Sequence, residues 1–187
     1  MRKTIIAAAL VLASSSAFAI DDPYAPSTTM SNFSYDYLDA RIGVSPVTYG
    51  VAVSKSIHPN AHVIGRVDSE FDGDYDAAGG FGFHAPINNW ADLTGEMLFR
   101  MTDNGNTSNS LKGTNTGMEL NLGIRQWLGP QLEVGGKAGY VSIDEKEDWI
   151  GSVYTRFHST ELFSIGAEAR FNDFYGDQLM FTTRFNF

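Results

Sequence analysis

The stretch WADLTGEMLFRMT at 90–102 limits this chain to one kind of local structure. Ala91, Leu93, Gly95, Met97, Phe99 and Met101 fall on one side of a two-residue period, and Asp92, Thr94, Glu96 and Arg100 on the other, with Leu98 the one exception. A helix would scatter those charges around its circumference, whereas a strand sorts them onto one face. The same test gives ten strands: 35–44, 47–57, 61–71, 76–86, 90–102, 115–128, 131–142, 149–159, 161–172 and 177–187. Turn signals separate them every 8 to 14 residues.

The connections differ in kind. HPN (58–60), PINN (86–89), GPQ (129–131) and ST (159–160) are tight. DGDYD (72–76), the stretch 103–116, DEKED (144–148) and NDFYGDQ (172–178) are longer and acidic, and SP (45–46) is the one short link in that series. Short turns at one end and long loops at the other suit a membrane-spanning barrel. So many hairpins in an exported chain also need their edges closed, which a barrel does completely.

Export is read from the N-terminus. Arg2 and Lys3, the apolar run 5–13 and Ala17-Phe18-Ala19 form the three parts of a cleaved signal peptide over 1–19. Nine apolar residues are too few for a spanning helix, which needs about 20. Residues 20–34, rich in Pro, Ser and Thr, are expected as a periplasmic lead-in, and 35–187 as the barrel. The chain has no cysteine, so neither disulfides nor thiolate metal sites hold it together. Outside the leader 22 acids face 11 Lys and Arg, which argues against nucleic acid as a partner.

The two faces then acquire meanings. Outward aromatics collect at two levels, Tyr49, Phe71, Tyr140, Trp149 and Phe171 at one, and Phe83, Phe157, Phe163 and Phe187 at the other. Those levels match interfacial girdles. The last strand carries Leu179, Phe181, Phe185 and Phe187 on one face, with Thr183 interrupting, and ends on Phe187. Here the chain resembles the outer-membrane β-barrel proteins of Gram-negative bacteria, whose last strand typically ends in Phe with apolar residues at alternate positions. The resemblance implies that Leu179, Phe181, Phe185 and Phe187 form the signal read by the barrel-assembly machinery. It departs from the fuller pattern in having no glycine in the upstream half of this strand. The expected fold is all-β, an antiparallel up-and-down transmembrane β-barrel of about ten strands, with eight as the alternative. The expected location is the outer membrane, as a monomer among outer-membrane lipid and lipopolysaccharide.

The inward face carries the acids Asp39, Asp68, Glu70, Asp92, Glu96, Glu119, Glu133 and Glu168, and the bases Arg41, Arg66, Arg100, Arg125, Lys137, Arg156, Arg170 and Arg184. Eight against eight suits a closed interior, because an unpaired buried charge is costly. Most of the remaining acids, including Asp72, Asp74, Asp76 and Asp173, are expected on the external loops, where divalent cations could bridge them to lipopolysaccharide, while Asp21, Asp22, Asp36 and Glu161 are expected near the periplasmic side. No other cofactor is expected. With the hairpin over 72–76 centred on Gly73, His62 would face His84, a pair able to hold a transition metal.

Some small outer-membrane barrels are enzymes working at the outer surface. All four histidines here lie toward the opposite end, and no Ser-His-acid set gathers at the outer one. The leading expectation is therefore a non-enzymatic surface protein with a closed, charge-paired interior, serving envelope integrity or surface contact. The alternative is a narrow porin-like channel for small solutes, with an outer-membrane enzyme third.

Overall fold

The computed structural model describes residues 31–104, 114–144 and 146–187. The signal peptide, most of the lead-in, the tip of the longest loop and Glu145 lie outside the described residues. Ten antiparallel strands close into one barrel in the circular order β1-β10-β9-β8-β7-β6-β5-β4-β3-β2. They are β1 (Tyr37–Val44), β2 (Thr48–His58), β3 (Ala61–Ser69), β4 (Asp74–Asn88), β5 (Ala91–Asn104), β6 (Thr114–Trp127), β7 (Leu132–Ile143), β8 (Lys146–His158), β9 (Phe163–Asp173) and β10 (Gly176–Asn186). Every hairpin expected from the turn signals is present, and the eight-strand alternative falls. Four tight turns and both ends of the barrel wall share one rim, called here the turn end; the opposite rim is the loop end.

The alternation decides what each face meets. β1 reads buried, exposed, buried, exposed along all eight residues. Its outward Leu38 and Ile42 are half exposed, as are Phe99, Leu122, Phe181 and Phe185 elsewhere in the wall. A continuous apolar exterior of this kind has no place in water and fits the hydrocarbon of a bilayer. The inward positions are polar and dry: Asp92, Glu119 and Glu133 have no exposed surface. Leu98 obeys the alternation after all, since it is an apolar residue on the inward face, 1% exposed.

The aromatic levels gather where the alternation puts them. Tyr49 lies 5.7 Å from Phe71, and Tyr140 lies 5.4 Å from Trp149, both near the loop end. Gly73 and Gly176 occupy loop-end turns at φ 81° and 79°, a region where a side chain would be strained.

One register differs from the expectation. In the β3–β4 hairpin Asp68 pairs with Asp76 and Arg66 with Ala78, so His62 faces Gly82 rather than His84. The tight part of the hairpin is centred one residue earlier than Gly73, which moves every partner by two.

Candidate functional site: the charged lumen

The loop-end half of the lumen is one connected network of ion pairs. Arg100 makes a two-pronged contact with Asp76, Nε to Oδ1 at 2.7 Å and an η nitrogen to Oδ2 at 2.8 Å. The same guanidinium reaches Glu119 at 3.0 Å and Asp173. Arg66 donates to Glu119 at 2.7 Å, while Asp68 accepts from Arg41 at 2.9 Å and Arg170 at 3.3 Å. Arg170 joins the two groups through Asp173 at 3.5 Å and also approaches Glu168 at 3.5 Å. Asn121 links Glu119 to Glu96, donating to them at 2.8 and 2.9 Å, and Glu96 meets Lys137 at 3.5 Å. Charges this dry are tolerated because each has at least one opposite partner in the network, and Arg100 and Arg170 are shared among several carboxylates.

Two members of this network, Asp76 and Asp173, are residues that the sequence places on the external loops. Asp76 shares the inward parity of β4 and is 1% exposed. Asp173 follows Asn172, whose φ of 59° breaks the alternation and turns the next carboxylate inward. Glu70 is the opposite case. It lies beyond β3 and is exposed, so it does not belong to the interior set. Its backbone N–H donates to Asp74 at 2.9 Å in the loop-end turn. The interior carboxylates thus lose Glu70 and gain Asp76 and Asp173, nine against eight bases among the described residues.

The turn-end half is built differently. Asp39 receives Arg184 twice at 2.7 Å, and Arg156 lies 3.7 Å away. Glu133 accepts from Arg125 at 3.0 Å and from the Tyr154 hydroxyl at 2.7 Å, with His158 Nε2 at 2.9 Å. Across the mouth lie residues 31–36, which belong to no strand. Phe33 stacks on Trp127 at 5.3 Å, and the Arg125 guanidinium sits 4.6 Å over its ring. Tyr35 donates to Asp92 at 2.9 Å, as Ser31 also does. The described part of the lead-in, expected as a segment outside the wall, therefore turns into the lumen.

The Tyr35 ring also settles the surroundings of the two histidines. It stacks on His84 at 3.7 Å and on His62 at 4.8 Å, with the imidazoles 5.7 Å apart. Gly82 makes room for this: a Cβ there would stand 2.1 Å from His62 Nε2. His84 Nε2 lies 2.8 Å from the Pro59 carbonyl. Among the described residues no group of three or more His, Asp or Glu is placed to hold a metal. His62 and His84 are thus neighbours that lack a third ligand.

Between the two halves is a cavity of about 120 Å³, with Tyr35 and Tyr37 at its turn-end side. A second void of about 10 Å³ shares Arg66, Lys137 and Arg170 with it and reaches Asp173 near the loop end. The first has room for on the order of ten waters and the second for about one. The expected assembly residues Leu179, Phe181, Phe185 and Phe187 all face outward, 46 to 56% exposed.

No protein-family model matches this chain, and no curated protein matches it. Among solved structures it is similar to the KdgM porin, with TM-score 0.50 and 9% identity over 81% of this chain and 99% of that one. It is similar in the same way to the KdgM porin in complex with disordered oligogalacturonate, with TM-score 0.51, 10% identity and the same coverage. At such identity the likeness shows a shared barrel fold.

Proposed function

We propose that this chain is an outer-membrane, porin-like barrel, a narrow channel for small polar solutes held shut at its turn end by residues 31–36. The short turns face the periplasm in this reading, and the acidic loop end faces lipopolysaccharide across divalent cations. Leu179, Phe181, Phe185 and Phe187 serve as the assembly signal. The observation that carries the channel is the charge-lined cavity of about 120 Å³ whose turn-end side is formed partly by Tyr35, a residue outside the wall. The fold shared with the KdgM porins supports it. Lys137 and Glu96, less buried than the other charges at 29% and 17%, line that cavity, and Lys137 also borders the small void that reaches Asp173 near the loop end.

The second reading is a closed barrel with a structural role in the envelope. It is favoured by Arg100, 1% exposed and fixed between three carboxylates. Planar-bilayer recording separates the two. The intact chain should be nearly silent, and the double variant Phe33→Ala, Tyr35→Ala should show reproducible small steps. A double variant as silent as the intact chain would leave the structural reading standing. The membrane itself is tested by Leu122→Arg, on the outward face at 61% exposure. It should cost about 2–4 kcal/mol in a bilayer folding titration, the usual penalty for a charge near the midplane.

A further inference from the structure

The lumen is close to neutral as a whole, but its charge is not spread evenly. Seven basic side chains line the central cavity, against only Asp39, Glu96 and Glu168. The carboxylates that balance the others, such as Asp76, Asp173, Asp68 and Glu133, lie toward either end and do not line it. The middle of the barrel is thus a basic chamber between two acid-rich closures.

Within it, one arginine is underused. Arg156 is 6% exposed; of its two carboxylate neighbours, Glu133 opposite it on β7 is taken by Arg125, Tyr154 and His158, and Asp39, 3.7 Å away, is already engaged twice by Arg184. Its Nε has no hydrogen-bond partner among the described residues, and neither does the Nε of Arg41. A buried guanidinium donor without a partner is costly, and an acceptor bound beside it removes that cost.

The register shows why space exists there. Arg156 pairs with Gly166, Gly166 with Thr182, and Thr182 with Arg41. The two arginines thus lie three strands apart along one row of cross-strand partners, with two small residues between them, and both line the cavity. Gly166 must remain bare, because a Cβ would lie 2.8 Å from the Thr155 carbonyl oxygen and 2.9 Å from Thr182 Oγ1.

We infer that the central cavity binds a small monovalent anion, a halide or a carboxylate of one or two carbons, seated between Arg156 and Arg41 beside Thr182. This names the solute class of the channel proposed above and rests on that reading, although occupancy can be measured without conduction. A volume near 120 Å³ admits such an ion with some of its water. Rings of basic side chains are the usual means by which a pore prefers anions.

Crystals of the intact protein grown or soaked in bromide test the seat directly through anomalous scattering. A bromide peak in the cavity in contact with Arg156 and Arg41 is expected. It should be lost in Arg156→Gln and kept in Arg156→Lys, which folds with the charge retained. No bromide in the cavity, or rubidium there in its place beside Glu96 and Glu168, overturns the inference. So does a peak unaffected by Arg156→Gln. The reversal potential of the Phe33→Ala, Tyr35→Ala variant in a chloride gradient gives the second readout, with anion preference expected and cation preference overturning it. Bromide in the seat of a variant that stays silent supports the site while removing the channel.

Discussion

The two ends of the lumen are constricted by different means. At the loop end the closure consists of wall residues, Arg100, Asp76, Glu119, Arg66 and Asp173, whose Cα positions are fixed by the ladder itself. At the turn end it consists of a short segment attached to β1, held by one aromatic stack, hydrogen bonds to Asp92 and a ring wedged against two histidines. The first closure can open only by leaving charges unpaired in a dry interior. The second can leave as a unit, because water can replace most of what it gives up. The wall network therefore narrows the lumen permanently, while the tethered segment is the obstruction that can leave.

The largest effect should come from breaking the permanent closure. Arg100→Gln leaves Asp76 and Asp173 short of a partner, and removing one side of a buried ion pair costs about 3–5 kcal/mol. The urea midpoint of the folded barrel should drop accordingly. An unchanged midpoint would mean the two closures are equally loose.

A smaller effect is expected at the other end. Tyr35→Ala removes a stacked ring and one hydrogen bond, about 1–2 kcal/mol. Amide exchange should accelerate at residues 31–36 and stay slow at 98–102. Equal acceleration in both would show that plug and wall are one cooperative unit.

The smallest effect is electrostatic and lies at the plug's attachment. Burial opposes the charge on Asp36, but Lys55 at 2.6 Å and the Ser56 N–H hold its carboxyl pKa below the ordinary value. A depressed carboxyl pKa adds stability that is present above the unfolded value, near 4, and is lost as the pH falls through the folded value. The Ser56 amide shift should titrate with a midpoint under about 4. Lys55→Met should move that midpoint upward, and an unmoved midpoint would detach Lys55 from the plug.

Much of this was readable from residue order. Parity alone sorts Asp39, Glu119, Arg125 and Arg184 inward and Leu122 and Phe181 outward, because a strand has only two faces. Asp76 was readable too, since it opens the expected strand 76–86 and shares parity with His84, but it was counted with the acidic loop 72–76. Asp173 was not. Its direction depends on the left-handed backbone at Asn172, which asparagine tolerates better than most residues, but a two-residue period does not say where that tolerance is used. Glu70 shows the converse, where alternation was carried one residue past the end of its strand. The lead-in was opaque for a different reason. Phe33 and Tyr35 continue the inward parity of Tyr37 and Asp39 although they belong to no strand, and their places are set by Trp127, Arg125, Asp92 and the histidines, all distant in sequence.

One pairing described above has a meaning for assembly. The barrel closes where β1 meets β10, and there Asp39 stands opposite Arg184. A slip of one residue along that seam would turn a face inside out and be rejected by the lipid at once. A slip of two keeps each face correct, so hydrophobicity cannot detect it. It would, however, set Asp39 against Thr182 or Asn186 and strand two opposite charges in a dry interior. The Asp39–Arg184 contact thus acts as a lock that accepts one key position, checking the final join after every other strand has been laid down.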